Sequence, residues 1–183
     1  MPAIQPTTKE VTFSPDELIV SKTDTKGIIR YANHVFLNVA GYKESEVLNQ
    51  PHNLIRHPDM PGCVFKLLWN TLKNGEEIFA YVKNMTKNGD LYWVFAHVTP
   101  SFDGSGAITG FHSNRRVACR EALEKVIPLY RSLLNIESQF NNRKEGSEAS
   151  LKQLEKILED QNIRYDQWVF SLSPTTSLSN SLS

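Results

Sequence analysis

The chain has 183 residues, with 20 basic and 20 acidic side chains and no formal net charge. That length holds one ordinary domain with an extension and falls short of two full domains. Balanced charge removes the bulk drive towards nucleic acid or anionic membranes, and a composition that is 40% hydrophobic and 10% aromatic is enough for a core, which excludes wholesale disorder.

Residues 1–13 are polar and rich in Pro and Thr, and are expected to be a flexible arm. Ser14-Pro15-Asp16-Glu17 has the form of a capping box and predicts a single turn. A strand is predicted over 18–22, a turn at Lys26-Gly27 and a second strand over 27–31, together a hairpin. Apolar residues at 35, 36, 39 and 40 predict a helix over 33–40, closed by Gly41. A short turn follows over 45–48. Residues 50–61 hold three prolines and two histidines without periodicity, and read as loop or single-turn helix. Residues 63–72 form a longer helix ended by Asn74-Gly75. Three strands follow, over 78–86, 91–102 and 107–115, with Asn88-Gly89 as a hairpin turn.

Beyond Ala118 the composition turns helical, with an interruption expected at Pro128 and a polar hinge over 141–146. A second helix is expected over 147–163. The Ser-rich end reads as disordered. The pattern therefore predicts an α+β fold: a five-stranded antiparallel sheet with short helices covering one face, plus a C-terminal helical extension. The boundaries are 1–13 for the arm, 14–117 for the sensory domain, 118–164 for an output or dimerisation extension, and 165–183 for a disordered tail.

Cys63 and Cys119 make neither a disulfide framework nor a zinc spacing. The first residues lack the apolar core of a signal peptide, and no apolar run approaches the length of a membrane span. These features predict a cytoplasmic, reduced protein. No nucleophile elbow, Walker loop, GxGxxG or HExxH occurs, so an enzyme is not expected.

The run Gln50-Pro-His-Asn-Leu-Ile-Arg-His-Pro-Asp-Met-Pro61, with Tyr31-Ala-Asn33, Gly41-Tyr42, Trp69-x-x-Leu72, Val82-Lys-Asn84 and Lys87-Asn-Gly-Asp90-x-Tyr-Trp-Val94, resembles the PAS domain of the aerotaxis-receptor family. The resemblance covers roughly residues 10–134. It implies non-covalent FAD, whose redox state reports respiratory electron flow or oxygen to a signalling partner. It also implies a cofactor role for Asn33, His52, Arg56, His57, Asp59, Trp69, Asn84 and Tyr92. No counterpart of the membrane anchor and methyl-accepting helices of full receptors is expected in this chain. The partner is therefore expected to be a separate chemoreceptor or histidine-kinase-type protein, with a homodimer through the PAS domain and C-terminal helices as an option.

The residue chemistry agrees with that implication without requiring it. Arg56 can grip phosphate or pair with Asp59 on the surface. His52 and His57 lie in a loop, where a histidine is often only a hydrogen-bonded surface group. Near a flavin, such a histidine couples redox state to protonation. Asp59 either fixes the loop through backbone N–H groups or simply forms a turn. Trp69 is a core residue or a stacking platform. Asn33 and Asn84 present amides that read a uracil-like edge. Tyr92 and Trp93 face opposite sides of the sheet, one lining the cup and one facing out. Haem b through His52 or His57, and a cofactor-free interaction module, are the alternatives. The loop reads Pro51-His52-Asn53 where light-sensing flavin domains carry a reactive cysteine, so no thiol adduct is expected, and Cys63 is expected to be buried packing. Residues 111–131 carry a net charge of +3, which is either a solvated face or a dock for an acidic partner.

Overall fold

The computed structural model describes residues 4–172. β1 (Ile19–Asp24) and β2 (Ile29–Ala32) make the first hairpin. Its turn is held by Asp24, whose carboxylate accepts from the backbone N–H groups of Lys26 and Ile28 at 2.9 and 3.0 Å. The chain then crosses one face of the sheet through α1 (His34–Ala40), α2 (Glu44–Val47), a 3₁₀ turn (His52–Ile55) and α3 (Gly62–Lys73). β3 (Ile78–Met85), β4 (Leu91–Phe102) and β5 (Ile108–Val117) complete a sheet of order β2-β1-β5-β4-β3, antiparallel throughout. The expected α+β architecture is the observed one.

The strands alternate as a half-wrapped sheet requires. On β4, Tyr92, Val94, Ala96 and Val98 form one series, and Trp93, Phe95 and His97 the other. The first series faces α1 and α3. The second faces the C-terminal helices, where Trp93 sits 6.2 Å from the Tyr130 ring.

α4 (Arg120–Glu137) is one continuous helix, and the break expected at Pro128 does not occur. Pro128 and Glu124 both lie on the exposed side, so the carbonyl that loses its N–H partner meets water. The buried series Ala122, Leu123, Val126, Tyr130 and Leu133 runs across the proline and holds the helix on the sheet. Tyr130 donates its hydroxyl to the Tyr81 carbonyl at 2.7 Å.

α5 (Arg143–Asp160) begins inside the segment read as a hinge, because Asn142 caps it by accepting from Lys144 N–H at 2.8 Å. Gly146 lies against the Glu137 backbone, where a Cβ would stand 3.0 Å from the carbonyl oxygen. α5 packs on α3 and α4.

Two further expectations need correction. Residues 7–11 do not hang free: Thr7 and Val11 donate to Gly89 and Leu91, and Leu91 donates to Lys9. β5 pairs with β4 only from Val94 onward, which leaves the start of β4 with unmet backbone groups that this segment satisfies. α6 (Tyr165–Ser171) forms within the expected disordered tail, with Trp168 and Val169 buried and Phe170 4.7 Å from Phe79. The spacing of Tyr165, Trp168, Val169 and Leu172 is helical, and that signal was present in the sequence. The remainder of the tail, 173–183, lies outside the described residues. No helix among the described residues is long and apolar enough to cross a membrane.

Candidate functional site

The inner face of the sheet, α3 and the loop after α2 enclose a cavity of about 370 Å³. That volume lies in the range of small-molecule sites. Leu68, Trp69 and Leu72 of α3 form one wall, with Val82, Ala96, Val98 and Phe111 of the sheet opposite. Helical spacing on α3 and period-two spacing on the strands bring these apolar groups into register. Trp69 meets Phe111 edge-on at 5.4 Å. Gly27, with φ of 78°, lies where a Cβ would stand 3.2 Å from the Trp69 indole. A side chain there would be strained and would push the ring into the cavity.

The third wall is the loop of the twelve-residue motif, which is stitched at both ends. His52 N–H donates to the Gly27 carbonyl at 2.9 Å, and Pro51 bridges Ile28. Arg56 bridges Asn84 of β3. The loop thus spans from the β1–β2 turn to the far edge of the sheet. Arg56 lines the cavity, stacks over Phe65 at 4.0 Å and donates to the Met60 carbonyl at 3.3 Å. Burial lowers its pKa, Arg143 adds to this, and nearby Glu137 opposes it.

Of the eight residues expected at a cofactor, His52, Arg56, Trp69 and Asn84 line the cavity. The other four do not. Asn33 caps α1, accepting from Phe36 and Val20 N–H at 3.0 Å and donating to the Leu18 carbonyl at 2.8 Å. All of that bonding ties α1 to β1. His57 is buried behind the loop, where its Nδ1 accepts from Asp59 N–H at 3.1 Å and its Nε2 has no partner. Burial and Lys83 lower its pKa, so it is neutral. Asp59 pairs with Lys83 at 2.7 Å on the surface. Tyr92 is buried in the inner series beyond the cavity, and burial raises its hydroxyl pKa.

The residue at the centre of the polar floor went unnoticed in the sequence. Arg115 of β5 is 2% exposed and lines the cavity with Ser113 and Ser21. Its Nε donates to Ser113 Oγ at 2.9 Å. Its Nη2 donates to Ser21 Oγ and to His52 Nε2, the latter at 2.9 Å. Its Nη1 has no partner. Burial pulls its pKa down to about 10, so it remains cationic at neutral pH. Arginine only donates, so His52 Nε2 must accept and the ring is neutral with its proton on Nδ1. Burial and the Arg115 charge push the His52 pKa down to about 3. The ring keeps partial accessibility because it faces the open cavity.

Among the described residues no Asp or Glu lines the cavity, whereas Lys26, Arg56 and Arg115 all do. A buried cation without a carboxylate is costly unless something else supplies the negative end. Period-two reading of β5 would have found it, since Phe111, Ser113 and Arg115 share one face. Cys63 is buried outside the cavity, and burial pushes its thiol up to about 11. No cluster of metal-ligating side chains exists among the described residues.

A family profile described as PAS fold matches residues 29–115. The aerotaxis receptor of Escherichia coli K12 is 42% identical over 127 residues, which is 69% of this chain and 25% of the receptor. A nitrogen fixation regulatory protein of Klebsiella pneumoniae is 27% identical over 124 residues, 67% of this chain and 25% of that protein. The chain thus spans a quarter of the length of these relatives. Among solved structures, the light state of the blue-light photoreceptor Aureochrome1 LOV superposes with a TM-score of 0.56 at 18% identity, over 60% of this chain and 88% of that one. A PAS domain from Colwellia psychrerythraea gives 0.52 at 18% identity, over 55% and 86%. At these identities the likeness carries the fold alone.

Proposed function

Because residues 29–115 are a PAS domain of the aerotaxis-receptor kind, we propose that the chain is a sensor holding FAD non-covalently, which reports redox state or oxygen to a separate signalling protein. The observation that carries the reading is the cavity itself: flat apolar walls over a cationic floor with an unmet donor and no carboxylate. An isoalloxazine ring is a flat apolar body with a polar edge, and FAD adds a pyrophosphate, so the residues present fit the group.

In this reading Trp69, Leu68 and Phe111 hold the ring faces. Asn84 and Ser113 offer donors and acceptors to its polar edge. Arg56 and exposed Lys26, at the rim, bind pyrophosphate. Bound flavin supplies reversible electron storage. The protein's part is to orient the ring, exclude water and set which charge state is favoured. Among the described residues no thiol lines the cavity, and we read the site as one for reversible redox reporting rather than adduct formation. Haem is disfavoured because His52 Nε2 already accepts from Arg115, and His57 is buried behind the loop rather than lining the cavity.

The change leaves by two contacts with the C-terminal helices. One is the outer sheet face, through Trp93, Tyr81 and Tyr130. The other is Glu137 of α4, which accepts from Gly62 and Cys63 N–H at 2.9 and 3.0 Å at the start of α3. α3 is also the wall of the cavity, so a shift there reaches α4 and α5. The partner fits the class of its relatives, a chemoreceptor or a kinase-linked regulator, and the chain acts as a sensor, not an enzyme.

The test is a visible absorption spectrum of the chain as purified, with FAD reconstitution beside it. Flavin bands that bleach with dithionite and return in air are expected. A Soret band, or failure to take up FAD at all, would overturn the reading.

A further inference from the structure

Arg115 is built as a site with one place left open. It is held on three sides by Ser21, Ser113 and His52, and its cationic carbon stands 5.5 Å from the Phe36 ring centroid. The other group that acts on its charge is Tyr92, whose hydroxyl is held in the neutral form by burial. Among the described residues Arg115 forms no salt bridge. Its Nη1 is buried without a partner, and the side chain lines the cavity among described residues of which none is Asp or Glu.

We infer that Arg115, braced by neutral His52, is an anion-receiving subsite on the cavity floor whose occupant is the polar edge of the flavin ring in its reduced, negatively charged form. This deepens the flavin reading above and rests on it. Uptake of two electrons and one proton leaves the ring one negative charge, which lies along its pyrimidine edge. A fixed buried cation there stabilises that form more than the neutral oxidised one. The pyrophosphate is the other anion FAD carries. It is better served by Arg56 and Lys26, because Arg115 lies on the inward side of β5 at 2% exposure. His52 adds a second consequence. Its Nε2 accepts from Arg115 and carries no hydrogen, so it has no proton to give the reduced ring there, which leaves the ring anionic.

The experiment compares wild type, Arg115→Met and Arg115→Lys, each checked for folding by circular dichroism. Affinities for riboflavin and FAD are measured oxidised and reduced, and the midpoint potential is followed against pH. Arg115→Met is expected to lower affinity for reduced flavin about 10- to 100-fold and to change oxidised affinity little. Each tenfold selective loss lowers the midpoint potential by about 30 mV for a two-electron couple. Wild type is expected to take up one proton per two electrons, and Arg115→Met two. Arg115→Lys keeps the charge and is expected to fall between.

Riboflavin, which has no phosphate, separates the two anionic sources. If Arg115→Met loses FAD but binds riboflavin normally with an unchanged potential, Arg115 grips pyrophosphate and the inference is overturned. If wild type binds no flavin, the function proposed above fails, and a planar anion decides the subsite. Urate just below neutral pH should then protect wild type from thermal unfolding and not Arg115→Met, with neutral xanthine protecting neither. Equal protection of both proteins, or of neither, would overturn the subsite as well.

Discussion

Two polar clusters inside the molecule are built from similar parts and come out differently. At the start of α3, the Glu137 carboxylate receives Gly62 N–H, Cys63 N–H and the buried Ser150 hydroxyl, the last at 2.7 Å. On the cavity floor, the Arg115 guanidinium gives to Ser113, Ser21 and His52 and keeps a donor unspent. Glu137 answers donors that a helix N-terminus always leaves open. It is complete without a ligand, and it fastens the C-terminal helices to the PAS domain. Arg115 has company but no opposite charge. Burial alone does not mark a binding site; a cavity-lining cation with an unmet donor and no carboxylate among the described lining residues does.

The sharpest way to break the comparison is Glu137→Ala. It strips an acceptor from two backbone N–H groups and a buried hydroxyl, and we expect it to cost about 3 kcal/mol of unfolding free energy in urea titration. Glu137→Gln keeps one acceptor and should cost about half as much. A loss for Glu137→Ala no larger than that of an ordinary surface substitution would mean that the clamp is incidental.

Acid tests the other cluster. The unfolded His52 takes up a proton near its ordinary value of 6.5, whereas the folded ring resists it down to about 3. The unfolded state therefore binds more protons between these values. The contribution is fully present above pH 6.5 and is lost as pH falls towards about 3. At pH 5 this amounts to about 2 kcal/mol. His52→Gln should flatten that part of the stability curve. If it leaves the acid slope unchanged, His52 is not held neutral by Arg115.

The sheet and the ligand-side helices were legible because their signals are local. Asn88-Gly89 marked a hairpin, Gly41 a helix end and residues 63–72 a helical face. The four motif residues that reach the cavity were not separable from the four that do not. His52 and His57 lie five residues apart in a loop without periodicity, and only tertiary pairing turns one towards the cavity and the other behind the loop. Asn33 stands at the start of the segment predicted as a helix, and the structure uses its amide fully as the cap. Arg115 was missed for a different reason. Counted with Arg116 it looked like part of a basic surface stretch, yet neighbours on a strand face opposite ways, and its partners come from β1 and the loop far away in sequence. Pro128 misled because a proline's cost depends on whether the orphaned carbonyl meets water, which is a property of the packed helix.

A smaller effect sharpens how the clamp is held. In Gly146→Ala the new methyl would press on the Glu137 carbonyl at 3.0 Å. Overpacking costs about 1–3 kcal/mol, and alanine's better helix propensity returns about 1 kcal/mol. A net loss of about 1 kcal/mol is expected, with the larger effect on the protection of Gly62 and Cys63 amides in hydrogen exchange. Faster exchange at those two amides with β1 and β5 unaffected would show that α5 sets the position of Glu137.

The smallest expected effect is the most discriminating. Arg115→Met in the ligand-free chain removes a buried charge that has no carboxylate. Replacing such a group with an apolar side chain of similar length is often neutral or stabilising. Ser21 and His52 lose a donor, but Ser21 Oγ and His52 Nε2 lie 3.1 Å apart and can bond to each other. We therefore expect the ligand-free stability to stay within about 1 kcal/mol of wild type. Glu137→Ala, from a group of similar polarity, is expected to cost several times more. If Arg115→Met instead unfolds the ligand-free protein, the guanidinium is a structural tie like Glu137, and the contrast between a completed cluster and an open one disappears.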